Sequence, residues 1–116
     1  LDLDNFKYIN DTYGHQAGDQ CLKVIAECLK KAYSRYGNCY RIGGDEFCVL
    51  FREPEKEKYC REKFYWIIEK RKKTLHMLPG ASYGSALIEE QESISDTKAR
   101  ADANMYANKK ARKQVK

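Results

Sequence analysis

The sequence predicts an α+β sandwich in which helices pack on a mixed, mostly antiparallel sheet. The predicted elements follow the order β-α-β-β-α-β-α, and a lone hairpin inside such an alternation is typical of this class. Gly43-Gly44 between two apolar runs marks the hairpin. A helix with Leu22, Ile25 and Leu29 at three- and four-residue steps supplies an apolar face to cover the sheet. A chain of 116 residues is long enough for one domain.

The composition is that of a globular protein with a basic surface. Hydrophobic residues make up 42% of the chain, charged residues 34%, and the net charge is +5. No apolar run approaches the roughly 18 residues of a transmembrane helix, and the chain does not open as a signal peptide. It opens within a strand, so we expect the protein to continue upstream. The five cysteines lack CxxC spacing, which predicts buried thiols in a reducing cytoplasm rather than a zinc site or disulfides.

The first third of the chain reads as a strand and two helical segments. Residues 1–4 alternate apolar and acidic side chains, as at the end of a strand with one buried face. Residues 5–11 predict a short helical turn, closed by residues 12–15. Gly18-Asp19 is expected to open the amphipathic helix, which ends near Tyr36-Gly37.

The predicted hairpin presents two adjacent carboxylates. Its strands are residues 39–42 and 47–51, and the two glycines allow the positive φ that a tight turn requires. The turn then carries Asp45 and Glu46 out of the sheet edge. Acids held this close repel each other unless a cation joins them, although a solvated polar turn explains the same pattern.

The last third adds a helix, a strand and a final helix. We expect a helix over residues 55–75 and a strand over 81–88, separated by Pro79-Gly80. Residues 96–113 form the final predicted helix. The apolar residues expected to face inward are Tyr59, Phe64, Ile67 and Ile68 in the first helix and Ala99, Ala103, Met105 and Tyr106 in the last.

The predicted topology brings two acids to one edge of the sheet. Asp2 ends the first strand and Asp45 lies in the hairpin turn, so the two meet if these strands are neighbours in the sheet. Such a palm-like arrangement of carboxylates can hold two divalent cations against a triphosphate.

Two stretches of the chain carry a resemblance to a known family. DLDNFKYINDTYGHQAGD (residues 2–19) and RIGGDEF (residues 41–47) closely resemble the GGDEF domain of diguanylate cyclases. Residues 81–84 and 101–110 resemble the family's Ser-x-Gly strand and its last helix. The resemblance implies a nucleotide-cyclase, palm-like fold without the family's amino-terminal helix. It also implies that two GTP molecules are joined into cyclic di-GMP, with release of pyrophosphate.

The resemblance implies a metal site and a catalytic hairpin. Asp2, the backbone carbonyl of Leu3, and Asp45 match the family's metal ligands, and such oxygen donors suit Mg²⁺, with Mn²⁺ as an alternative. Asp45 also matches the position of the proton acceptor. Glu46 is its neighbour, and the sequence leaves open which of the two takes the proton. Lys7 matches the lysine that stabilises charge on the phosphates.

Further positions match the family's nucleotide contacts. Asn10 and Asp19 match the residues that read guanine, and Asp19 can accept hydrogen bonds from the N1–H and N2–H₂ edge that adenine lacks. The alternative for Asp19 is a helix cap. His15 matches a residue of the same pocket, and Phe6 is expected to form its wall or part of the core. The amides near Asn5 and Phe6 lie at a strand-to-helix turn suited to phosphate.

The carboxyl-terminal helix departs from the family pattern. Lys109 matches the family's phosphate-binding lysine. Lys113 stands where the family has an arginine, and lysine lacks the bidentate guanidinium fork. The family's product-inhibition motif, Arg-x-x-Asp, falls on Ser34 and Gly37, so we expect no product inhibition through that site.

The leading interpretation is an active diguanylate cyclase domain that works as a homodimer, with a sensor or dimerisation domain upstream. It predicts a cytoplasmic location, as a free protein or as the cytoplasmic part of a membrane-anchored one, without membrane contact by the domain itself. A GTP-binding regulatory module is the alternative, favoured by the altered Arg112-Lys113 end. A nucleic-acid-binding palm is suggested by the +5 charge, but the lysines lack interleaved exposed aromatic residues.

Overall fold

The structure, a computed structural model, describes residues 1–51, 53–89 and 91–115, with side chains described as far as residue 110. The strands are β1 (Asp2–Leu3), β2 (Gly37–Gly43), β3 (Glu46–Phe51) and β4 (Ala81–Ser82). The helices are α1 (Phe6–Tyr13), α2 (His15–Tyr33), α3 (Glu57–Lys72, preceded by a 3₁₀ turn at Pro54–Lys56) and α4 (Ile94–Val115). The predicted α+β class is confirmed.

The chain divides into two compact units. The larger consists of Leu3–Gly80, and the smaller consists of Leu1–Asp2 with Ala81–Lys116. Strand β1 contributes one residue to each unit. Within the larger unit the strand order is β2-β3-β1, and within the smaller unit β1 is adjacent to β4.

Helix α2 organises the larger unit. It contacts α1, α3 and strand β2. Its buried residues recur at three- and four-residue steps, so its apolar face is continuous and the predicted inward face is confirmed at Leu22, Ile25 and Leu29. Phe64 and Ile68 of α3 complete this core. The five cysteines are free thiols, and burial raises the pKa of the Cys21, Cys28, Cys39 and Cys60 thiols.

Helix α2 begins earlier than the sequence predicts. The expected start at Gly18-Asp19 is wrong, because only Gly14 separates α1 from α2 and α2 runs from His15. Gly14 has a φ of +92°, a conformation that suits glycine, and its amide ends α1 by donating to the Asn10 carbonyl. Helix α1, Phe6–Tyr13, has two turns rather than the single short turn predicted.

Two further expectations are corrected in the second half of the chain. The strand expected over residues 81–88 is confined to Ala81–Ser82. In α3, Tyr59 is exposed rather than inward.

In α4 the predicted inward face is confirmed at Met105 and wrong at Ala99, Ala103 and Tyr106, which are exposed. Among the α4 side chains described, up to residue 110, Thr97 and Met105 are buried and Ala101 is half-buried between them, at four-residue steps. No helix in the described part of the chain is long and apolar enough to span a bilayer.

Candidate functional site

The hairpin turn is held by its own backbone and by one arginine. Strands β2 and β3 pair antiparallel from Gly37 with Phe51 to Arg41 with Phe47, and the register shifts before the final pair, Gly43 with Glu46. Gly44 has a φ of +49°, the left-handed conformation that the predicted turn requires. The Arg41 guanidinium donates two hydrogen bonds to the Gly44 carbonyl, at 3.1 and 2.8 Å. Arg41 therefore holds Gly44, the residue before Asp45, in a fixed position on the hairpin.

Strand β1 is joined to the same turn. The Leu3 amide donates to the Asp45 carbonyl at 3.1 Å, and the Asp4 amide donates to the Gly80 carbonyl at 2.8 Å. Leu3, the last residue of β1, is buried, so this end of the strand is held in the core. Asp45 and Glu46 are half-buried. The structure thus brings Leu3 and Asp45, two of the predicted metal-site residues, into direct backbone contact.

The turn from β1 into α1 exposes the helix amino terminus. Asn5 adopts a left-handed conformation with a φ of +54°, which asparagine tolerates better than most residues. The first hydrogen bond along the helix runs from the Ile9 amide to the Asn5 carbonyl. The amides of Phe6, Lys7 and Tyr8 thus precede the helical ladder, and such amides favour anions. Lys7 is exposed on this first turn.

Helices α1 and α2 meet at a residue without a side chain. Gly18 is buried, and a Cβ on it would lie 3.0 Å from Asn10 Cγ, 3.3 Å from Phe6 Cζ and in collision with Asn10 Oδ1. Phe6 and Asn10 are one helical turn apart, so both face α2. The structure thereby brings Phe6 and Asn10 to the part of α2 that carries Asp19.

The structure places Asp19 inside the helix rather than at its cap. Helix α2 begins at His15, so Asp19 lies in its second turn and the capping alternative is wrong. Asp19 and His15 are both exposed. Asp19 is therefore available to a ligand, and it directly follows Gly18, the residue of α2 against which Asn10 packs.

In the smaller unit, Lys109 and Asp2 form an ion pair. The Lys109 Nζ lies 3.5 Å from the Asp2 Oδ2. On the same helix, the Asn104 carboxamide donates to the Ser85 carbonyl at 2.7 Å, and the carboxamide of Asn108, the residue before Lys109, donates to the Tyr83 carbonyl at 2.9 Å. The Lys113 side chain lies outside the described residues.

Three residues of this region were not singled out from the sequence. They are Arg41, which anchors the hairpin turn, Gly18, which admits Asn10, and Asn108, which holds α4 against residues 83–85. An isolated glycine inside a helical pattern was the available signal for Gly18. The contacts of Arg41 and Asn108 have no local signature.

The donors at the hairpin and β1 suit a hard divalent cation. Carboxylate and carbonyl oxygens are the ligands Mg²⁺ prefers, and it is usually held by one or two carboxylates together with substrate phosphates. The described residues contain no cluster of three or more histidine, cysteine or acidic side chains that would hold a metal by themselves. The ammonium beside Asp2 shows that this carboxylate has room for a cation.

The fold and this arrangement define an α+β domain with an acidic hairpin beside a strand-to-helix turn. A family model described as "Diguanylate cyclase, GGDEF domain" matches residues 1–115. The chain therefore belongs to the GGDEF domain family.

The chain is also similar to individual proteins. The probable diguanylate cyclase DgcJ of Escherichia coli (strain K12) is 33% identical over 115 residues, which are 94% of this chain and 22% of that protein. The cyclic di-GMP phosphodiesterase NbdA of Pseudomonas aeruginosa is 50% identical over 50 residues, 43% of this chain and 6% of that protein. The chain thus spans less than a quarter of the length of these two relatives.

A solved structure is also similar. The active GGEEF domain of a diguanylate cyclase from Vibrio cholerae matches with a TM-score of 0.56 and 26% identity, over 95% of this chain and 73% of that one.

Proposed function

We propose that this chain is the catalytic domain of a diguanylate cyclase, which condenses two GTP molecules into cyclic di-GMP and two pyrophosphates. The observation that carries the proposal is the hydrogen bond from the Leu3 amide to the Asp45 carbonyl. It ties the acidic hairpin turn to Leu3, the residue that follows Asp2 in the chain. The family membership supplies the reaction.

The proposed cation ligands are Asp2, the Leu3 carbonyl and Asp45, with Mg²⁺ as the cation and Mn²⁺ as a substitute. When bound, such a cation supplies a Lewis acid that lowers the pKa of a 3′-hydroxyl and neutralises charge on the leaving pyrophosphate. Asp45 or its neighbour Glu46 accepts the proton of the 3′-hydroxyl. Both side chains are half-buried at the turn, so a proton acceptor there is shielded in part from bulk water.

The remaining site residues bind and orient GTP. Asn10 and Asp19 hydrogen-bond the guanine base, and Phe6 forms the wall of the pocket against Gly18. His15, exposed at the start of α2, contributes to the margin of this proposed guanine pocket.

Cationic groups hold the triphosphate. Lys7 and the free amides of the first turn of α1 bind phosphate oxygens. Lys109 and Lys113 of α4 contribute further positive charge. With Lys7, they hold the phosphates in place for attack by a 3′-hydroxyl.

The reaction requires two copies of the domain. Each copy presents one GTP, and each 3′-hydroxyl attacks the nucleotide held by the other copy, so the active species is a homodimer. We propose that an upstream sensor or dimerisation domain brings the copies together in the cytoplasm.

A second candidate is a GTP-binding regulatory module without turnover. Two observations favour it: the similarity to the phosphodiesterase NbdA and the lysine at position 113. In this case GTP binds at Asn10 and Asp19, but no product forms.

Product analysis decides between the two candidates. The intact protein is incubated with GTP and Mg²⁺, and the products are separated by chromatography, alongside Asp45→Ala and the matched exposed-acid control Asp96→Ala. We expect cyclic di-GMP from the intact protein and from Asp96→Ala, and none from Asp45→Ala. GTP binding by a demonstrated dimer that forms no product would replace the first proposal by the second.

A further inference from the structure

The ion pair between Lys109 and Asp2 joins two residues that the proposed function assigns to different ligands. Their side chains are 34% and 24% exposed, and the Nζ–Oδ2 distance is 3.5 Å. Asp2 is a proposed ligand of the cation, whereas Lys109 is a proposed ligand of the phosphates. In the structure they neutralise each other instead.

The position of Lys109 is set by the contacts of α4. The carboxamides of Asn104 and Asn108 hold the helix to the carbonyls of Ser85 and Tyr83. Gly84 lies so close to α4 that a Cβ would collide with the Ala101 carbonyl and the Met105 amide. Lys109 follows Asn108 directly. These contacts fix the rotation of α4, and with this rotation the Lys109 side chain reaches Asp2. The pair is thus anchored at the helix, unlike an ordinary surface pair between two freely rotating side chains.

We propose that Lys109 occupies the cation position on Asp2 in the ligand-free domain and leaves it when the nucleotide phosphates bind. The inference rests on the proposed function, because it assumes that Asp2 binds the cation. A carboxylate oxygen paired with an ammonium is not available to a divalent cation, and two positive charges at one carboxylate repel each other. A triphosphate offers Lys109 a more highly charged partner and frees Asp2.

Two consequences follow by linkage. The cation alone binds weakly, because it must displace Lys109. Cation and nucleotide then raise each other's affinity by the same factor, since coupling between two binding sites is reciprocal. Removing the Lys109 charge strengthens binding of the cation alone and diminishes that coupling.

The test is a titration of the intact protein with Mn²⁺, which replaces Mg²⁺ and is followed as free ion by electron paramagnetic resonance. It compares the unaltered protein with Lys109→Met and with the control Lys110→Met, which removes the same charge from an exposed neighbour. Without nucleotide, Lys109→Met should bind Mn²⁺ roughly two- to fivefold more tightly, in keeping with the modest strength of a partly exposed ion pair. Lys110→Met should bind as the unaltered protein does.

A non-hydrolysable GTP analogue provides the second arm. It should raise the Mn²⁺ affinity of the unaltered protein more than that of Lys109→Met. When Asp2→Asn is added to both proteins, the unaltered protein and Lys109→Met should bind Mn²⁺ with equal affinity. Circular dichroism of each variant verifies the fold.

Equal or weaker Mn²⁺ binding by Lys109→Met, including no detectable binding, overturns the proposal. It is also overturned if the gain persists in the Asp2→Asn background. These outcomes can be distinguished from a failure of the proposed function. If Lys109→Met binds Mn²⁺ more tightly but the unaltered protein forms no cyclic di-GMP, the catalytic activity is rejected and the competition between Lys109 and the cation for Asp2 is supported.

Discussion

Replacing Gly18 with alanine tests whether Asn10 reads the guanine base. A Cβ at position 18 would collide with Asn10 Oδ1 and lie 3.0 Å from its Cγ. The colliding oxygen is the far end of a flexible side chain, so Asn10 can rotate away without moving either helix. The substitution therefore displaces a proposed base contact while leaving the α1–α2 packing in place.

The effects on stability and on binding should separate. Alanine in place of glycine inside a helix contributes about 1 kcal/mol to stability. An off-rotamer Asn10 costs about 0.5–1.5 kcal/mol, so the free energy of unfolding should change by less than about 1 kcal/mol. A base edge left without its hydrogen bond costs about 1–2 kcal/mol of binding, which raises the Kd for GTP roughly 5- to 30-fold.

Urea denaturation and calorimetric titration with GTP measure the two quantities. The variants are Gly18→Ala, Asn10→Ala, the double variant, and the control Gln20→Ala, which changes an exposed residue of α2. We expect Gly18→Ala and Asn10→Ala to bind GTP equally weakly. The double variant should bind no worse than Asn10→Ala, because the side chain that was displaced is gone. GTP binding by Gly18→Ala with unaltered affinity would refute the reasoning.

Two further predictions concern stability. Gly84→Ala should lower the free energy of unfolding by more than about 2 kcal/mol, because its Cβ meets the backbone of α4. Gly44→Ala, in open space with a φ of +49°, should cost only about 1–2 kcal/mol, and urea midpoints that reverse this order would contradict the packing argument. Hydrogen bonds from the Arg100 guanidinium, the Glu89 amide and the Thr97 hydroxyl lower the pKa of Glu92 from 4.5 to about 2. As the pH falls from 4.5 towards 2, the unfolded chain takes up a proton that the folded chain does not, so stability decreases. In urea denaturation at a series of pH values, the unaltered protein should therefore lose its stability advantage over Glu92→Gln as the pH falls through this range. An advantage that stays constant would show that the pKa of Glu92 is not lowered by these hydrogen bonds.

The type of most elements could be predicted from the sequence, but not where each one ends. The buried face of α2 follows from its apolar spacing, which is a local property of the helix. Its start at His15 depends on Gly14, whose positive φ turns the chain at once from one helix into the next. The strand expected over residues 81–88 ends at Ser82, and beyond it Gly84 packs against α4, a contact between distant segments that the local sequence does not specify.

The candidate site was predicted mainly as a set of chemical groups, and its one predicted arrangement, Asp2 and Asp45 at one edge of the sheet, depended on which strands are neighbours. The two motifs predicted the acids, Lys7 and the proposed guanine-binding residues Asn10 and Asp19. In the structure Asn10 packs against Gly18, the neighbour of Asp19 in α2. The inward face of α4 was wrong at Tyr106, since apolar character alone does not show which side of a helix meets its neighbour.

The sequence by itself determined the hairpin with its acidic turn, the amphipathic helix and the family. These depend on turn chemistry, helical periodicity and motif order, which are encoded within a few residues. Only the tertiary structure decided that the Leu3 amide binds the Asp45 carbonyl and that Gly18 admits Asn10. It also decided that Lys109 pairs with Asp2 from the other end of the chain. Such contacts depend on how separate segments pack, and no local pattern in either segment specifies its partner.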